Sequence, residues 1–225
     1  MLLKIQPDES LTSYVRRNLF LSWYAPGVAV FKELAKRPAF WKAEVQAIAS
    51  AFGWPGCYGF NRLIHQHTML AAIYVIKNAQ DFSYSENQYA SEDFRLCNWD
   101  ASYCPDCVRE DLESLGFSYW RRFCSPHVKV CHKHNTVLLD HCPFCGKSFS
   151  RYGHTLDVMW RKCEGRHLGD ASSIPNDDPA ALRRAIVFHG ICSSPHHISD
   201  VGALRVLRDK AASLIPMLSG DLALE

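Results

Sequence analysis

The sequence predicts a mainly α fold with small stapled α+β elements, and three observations predict it. Apolar residues recur at helical spacing towards both ends of the chain, and the short helices they imply are separated by Pro and Gly breaks. In the middle stand Cys104-Pro-Asp-Cys107 and Cys142-Pro-Phe-Cys145, each followed by a further Cys/His pair.

The first helix starts at Pro7-Asp-Glu-Ser-Leu11, where Ser10 or Asp8 can cap. Leu11, Tyr14, Val15 and Leu19 share one face, and Arg16 and Arg17 fall on the other. Tyr24-Ala-Pro-Gly27 breaks the chain. Val28 to Lys36 is a second helix with Val30, Phe31 and Leu34 inward, stopped by Pro38. A third helix, Trp41 to Phe52, turns Val45, Ile48 and Ala49 inward and ends at Gly53-Trp-Pro55. Short helices with tight breaks have the pattern of a helix-turn-helix module, with Arg16, Arg17, Lys32, Lys36, Arg37 and Lys42 either facing a nucleic acid or forming a solvated face. Asn61 to Asn78 reads as the longest helix and closes this bundle. His65 and His67 on it lack Cys companions and read as packing or surface residues. The resulting division is a helix-turn-helix-like domain over 1–80, a polar linker over 81–100, a tandem zinc-finger region over 101–168 and a short helical tail over 169–225.

The cysteine spacing points to zinc. A Cys-x-x-Cys turn aims two thiolates at one centre, and a later Cys/His pair completes a tetrahedron. The first site takes Cys104, Cys107, Cys131 and His134, with His132 competing for the last place. The second takes Cys142, Cys145, Cys163 and His167, with His154 the rival and His127 and His141 in reserve. Four protein ligands leave no place for a reactive water, so both Zn²⁺ sites read as structural. Cys57, Cys97, Cys124 and Cys192 have no such partner and read as small buried hydrophobes.

The chain has 225 residues, 48% of them apolar and 21% charged, the proportions of a globular protein. Ten cysteines without a leading apolar signal segment fit a reducing cytoplasm better than a disulfide scaffold, and no window is apolar for long enough to span a bilayer. The formal net charge of +2 does not by itself indicate a nucleic-acid partner, so a DNA-binding face must come from local clustering. Trp120, Arg121 and Arg122 with Lys129, Lys133, Lys147, Arg151, Arg161, Lys162 and Arg166 are the densest cationic choice. Arg121 and Arg122 can alternatively lie over the aromatics or pair with Asp106, Glu110, Asp111 and Glu113.

Asp8-Glu-Ser-Leu11, Tyr103-Cys-Pro-Asp-Cys107, Tyr119-Trp120, Cys131-His-Lys-His134, Val137-Leu-Leu139 and Cys142-Pro-Phe-Cys-Gly146, in this order, resemble the TniQ/TnsD family of transposition target-selection proteins. The resemblance implies a bacterial, cytoplasmic, non-catalytic adaptor. It would link a target-site recogniser, either DNA itself or an RNA-guided Cascade-type complex, to a AAA+ regulator of the TnsC type. The chain departs from the family where Cys163-x-x-x-His167 replaces a second Cys-x-x-Cys, and its stretch after His167 is short, which fits a compact member or a trimmed chain. The oligomeric state is open, a homodimer included.

Enzymatic readings are weaker. No His is followed two residues later by Glu, as a zinc deaminase requires, and no Gly-rich phosphate loop is present for ATP hydrolysis. The rival is a zinc-stapled His-Asn-His nuclease with His189, His196 or His197 as base. In the tail, Ala180 to Gly190 and Ser199 to Leu218 read as helices. Val201, Leu204, Leu207, Leu214 and Ile215 form the second one's apolar stripe, expected in the core and a docking site if exposed.

Overall fold

The computed structural model describes residues 2–22, 29–37, 39–54, 56–74, 76–77, 95–97, 101–123, 128–150, 152–194 and 198–220. The linker expected over 81–100 lies outside them except for residues 95–97, which form a strand, and Cys124, His127, Arg151, His196 and His197 lie outside as well. The fold is mostly helical with little sheet. Its elements are α1 (Leu11–Ser22), α2 (Ala29–Leu34), β1 (Ala39–Trp41), α3 (Lys42–Ala51), α4 (Gly56–His67), α5 (Ala71–Tyr74), β2 (Ile76–Lys77), β3 (Arg95–Cys97), α6 (Pro105–Leu115), α7 (Pro179–Cys192), β4 (Ile198–Ser199) and α8 (Asp200–Gly220). Strands β1 and β3 pair antiparallel with Phe40 opposite Leu96, and β2 and β4 pair in parallel with Ile76 opposite Ile198. Among the described residues, no helix is long and apolar enough to cross a membrane.

The N-terminal core gathers the apolar faces read from the sequence, Leu11, Tyr14, Val15 and Leu19 of α1, Phe31 and Leu34 of α2, and Val45, Ile48 and Ala49 of α3, and adds Phe60, Leu63 and Ile64 of α4. Ser10 caps α1, its Oγ accepting from Ser13 N at 3.1 Å. Helices α3 and α4 pack closely against each other. Gly59 permits it, since a Cβ there would stand 2.2 Å from the Trp54 carbonyl oxygen. The helix expected over Asn61 to Asn78 instead starts at Gly56 and stops at His67. Its end follows from Thr68, whose hydroxyl donates back to the Ile64 carbonyl and accepts from Leu70 N, diverting the backbone from the helical ladder.

A second core surrounds Trp120, which packs with Tyr103, Val108, Phe149, Leu156, Val158, Met159 and Leu168. Its indole Nε1 donates to Leu156 O at 2.8 Å, and Phe149 lies 5.0 Å away between ring centroids. The N-terminal segment docks onto this module through an isolated antiparallel bridge between Glu9 and Arg121. Ser10 N donates to Trp120 O at 2.9 Å, Trp120 N to Ser13 Oγ at 3.0 Å and Arg122 N to Asp8 O at 2.8 Å.

Two arginines seal this junction. Arg17 donates from Nε and Nη2 to the two Glu9 carboxylate oxygens at 2.8 and 2.7 Å, both side chains being buried. Arg122 joins Asp8 at 2.8 Å and donates to the His65 and Cys192 carbonyls, tying α4 and α7 to the same point. These contacts overturn the placement of Arg17 on an outer helix face. They also remove Arg17, Trp120 and Arg122 from the surface residues expected to touch nucleic acid or a partner: all three are buried and committed inside the fold. The stripe of α8 is corrected in the opposite sense, because Val201, Leu204 and Leu207 are exposed and not in the core.

Candidate metal centres

Among the described residues, two sets of four donors converge, each with its ligand atoms within 4.8 Å of one another: Cys104, Cys107, Cys131 and His134 in the first, and Cys142, Cys145, His154 and Cys163 in the second.

In the first, Cys104 is the N-cap of α6 and Cys107 sits in its first turn, with Pro105 at the start where no amide proton is needed. Cys131 and His134 come from a hairpin turn in which Cys131 N donates to Thr136 O at 2.8 Å and Asn135 N to Cys131 O at 3.0 Å. The Cys107 and Cys131 sulfurs are 3.7 Å apart, and His134 Nδ1 is 3.4, 3.4 and 3.6 Å from Cys104, Cys107 and Cys131. Donors bound tetrahedrally to zinc, with Zn–S about 2.3 Å and Zn–N about 2.0 Å, stand about 3.8 Å apart for two sulfurs and about 3.5 Å for sulfur and nitrogen. The donor set and its spacing therefore fit Zn²⁺. Sulfurs this close cannot all be ionised without a cation among them. Hydrogen bonding with Cys107 and Cys131 pulls the Cys104 thiol far down, while hydrogen bonding with Cys104 and Cys131 pushes Cys107 up.

Two supporting groups escaped the sequence reading. Glu110 Oε1 lies 3.0 Å from His134 Nε2, off the line of the N–H bond but within ion-pair range, and Thr136 Oγ1 lies 3.2 Å from Cys104 Sγ. Glu110 was legible in principle: it follows Cys107 by one helical turn and so shares its face of α6.

The second cluster repeats the turn. Cys142 N donates to Lys147 O and Gly146 N to Cys142 O, both at 2.8 Å, the same two bonds that shape the Cys131 turn. Cys163 arrives on a two-residue hairpin whose central residues, Glu164 and Gly165, have φ of 51 and 77°, while Cys163 and Arg166 exchange backbone bonds at 2.8 and 3.0 Å. The histidine is His154 and not His167. Gly153 lies so close to Ser148 that a Cβ would stand 2.1 Å from its carbonyl oxygen, and His154 N donates to that same oxygen, folding the loop back onto the cluster. His167 is occupied elsewhere, its Nδ1 accepting from Gly169 N at 3.1 Å and its Nε2 lying 2.9 Å from Met159 O. With both ring nitrogens engaged, it caps a short 3₁₀ turn, Leu168–Asp170.

Of the other histidines, His132 stacks on His189 with centroids 3.7 Å apart, and exposed His141 pairs with Asp140 at 2.8 Å. Cys192 is buried and Cys57 half-buried. The remaining cations expected to meet a partner divide into two groups. Arg121 is bound by both oxygens of Asp111 at 2.9 Å, Arg16 pairs with Asp157 at 3.7 Å, and exposed Lys133 pairs with Glu110. Lys129 is exposed, Lys42 half-buried, and exposed Arg161 lies over the Phe20 ring at 5.1 Å.

The family model for TniQ matches residues 1–138. The chain belongs to the TniQ family. It is accordingly a transposition-associated protein. No curated protein matches it. The TniQ match holds both sides of the junction between Asp8-Glu9 and Trp120–Arg122 and the whole first cluster, and it ends before Cys142. The second cluster, α7 and α8 lie beyond the matched segment.

Proposed function

We propose that this TniQ chain is a non-catalytic adaptor in DNA transposition. It joins a target-site recogniser, either DNA itself or an RNA-guided Cascade-type complex, to a AAA+ regulator of the TnsC type. The observation that supports this reading is that both clusters bring four protein donors to one point in a chain of a transposition-associated family. Zn²⁺ held by Cys104, Cys107, Cys131 and His134, and by Cys142, Cys145, His154 and Cys163, would supply fixed geometry and charge neutralisation, with no open coordination position for a reacting water. The chain's own contribution is recognition: short loops that cannot build a core alone are fixed in place and present Lys129 and Arg161 outward.

Co-precipitation with a TnsC-type ATPase, alongside gel shift of duplex DNA across a salt series, tests the proposal. Retention of the ATPase supports the adaptor. Cleavage of DNA by the purified chain with Mg²⁺, and no ATPase retained, would replace it with the nuclease reading.

A further inference from the structure

Helix α8 is the least covered element among the described residues. Its main packing is against the β2–β4 pair, and from Leu204 to Ser213 every residue is exposed, Leu204 at 55% and Leu207 at 62%. The N-terminal end is secured, with Ser199 Oγ accepting from Gly202 N at 3.1 Å and Asp200 Oδ1 from Val201 N at 2.8 Å. The helix is therefore anchored at its base and bare from Leu204 to Ser213.

The helix sequence carries a pattern. Leu204, Leu207, Ala211 and Leu214 follow one another at the three-four-three spacing of a coiled-coil seam. Arg208 flanks the seam on one side and Lys210 on the other. The two acids of the helix are elsewhere: Asp209 falls on the opposite face and Asp200 is spent at the N-terminus. We propose that α8 docks an amphipathic helix of another protein whose apolar seam is flanked by Glu or Asp. A second copy of this chain is disfavoured, because either orientation would set cationic flanks against cationic flanks. Duplex DNA is disfavoured because a phosphate backbone offers nothing to cover Leu204 and Leu207. The inference rests on α8 alone and stands or falls independently of the adaptor reading.

Two labelled helical peptides test it, each with Leu at the seam positions and with either Glu or Lys at both flanks, titrated into the full chain by fluorescence anisotropy. The Glu-flanked peptide should bind at least tenfold more tightly than the Lys-flanked one. The double variant R208E/K210E should reverse that order. Leu207→Gln, at an exposed position, should weaken the Glu-flanked peptide at least tenfold with unchanged far-UV circular dichroism. Three results would overturn the proposal: no preference between the peptides, binding indifferent to both variants, or a dimer in sedimentation that Leu207→Gln disperses. So would a DNA gel shift lost with Arg208→Glu but kept with Leu207→Gln.

Discussion

His154 and His167 compete on paper for one place in the second cluster, and ring contacts decide between them. His167→Ala should keep two metal equivalents per chain and lose about 1 kcal/mol of stability, the usual worth of a helix cap. His154→Ala leaves three sulfurs and an open position, so it should release one equivalent first when titrated with a chelator, read by metal analysis. Arg17 offers a second residue-level test. Arg17→Met strands the buried Glu9 carboxylate and should cost about 3–5 kcal/mol in urea unfolding, part of it recovered when Glu9→Gln is added. His67 gives a pH signature. Burial holds its ring down to about 4 from an ordinary 6.5 while Nδ1 contacts Glu9 O at 2.9 Å. The unfolded chain thus binds a proton that the folded chain refuses, so this contribution to stability is complete above pH 6.5 and shrinks as the pH falls towards 4. The loss is about 3 kcal/mol over that window, since one pKa unit is about 1.4 kcal/mol. His67→Asn, which keeps a donor for Glu9 O, should flatten the difference in unfolding free energy between the two ends of the window.

At the scale of elements, helices with a clean apolar face were legible. Helix α6, Pro105–Leu115, is bounded by local signals, Pro at the start and Gly116, with φ 75°, at the end. The cysteines were legible for the same reason, their spacing being written in adjacent residues. What was not legible depends on distant partners. Arg17 and Arg122 look like surface cations until Glu9 and Asp8 are brought beside them by the docking of residues 8–10. His154 loses to His167 on spacing alone because the fold-back at Gly153 is a matter of backbone approach, which no ligand interval records. Gly153→Ala probes that approach. A Cβ 2.1 Å from a backbone oxygen forces the loop outward, at about 1–3 kcal/mol for such overpacking, so the second cluster should hold its metal less tightly while the first is unchanged. Cobalt titration, in which the two thiolate-rich centres fill in sequence, distinguishes this from a general loss of stability.

For the whole molecule, the decisive feature is that the N-terminal bundle and the metal-binding module share a seam instead of a tether. Asp8, Glu9 and Ser10 lie against Trp120 to Arg122, Arg16 of α1 reaches Asp157 beside the second cluster, and Phe20 lies 5.9 Å from Trp160. Trp120, the centre of the second core, bonds through its backbone to Ser13 of α1, so disorder around the clusters removes a partner from the first helix directly. Metal removal should therefore propagate. With a chelator in excess, amide exchange should accelerate in α1 together with residues 101–170, and thermal unfolding should pass through one transition with a lowered midpoint. Unchanged protection of α1 while residues 101–170 exchange freely would mean that the bundle stands alone and that the junction is a contact without energetic weight. The buried Glu9–Arg17 pair argues for the first outcome: Arg17 Nη2 also donates to Lys4 O at 2.8 Å and Gln6 N to Glu9 Oε2 at 2.9 Å, so the segment that meets Trp120 is held by the same charges that face water if it comes away.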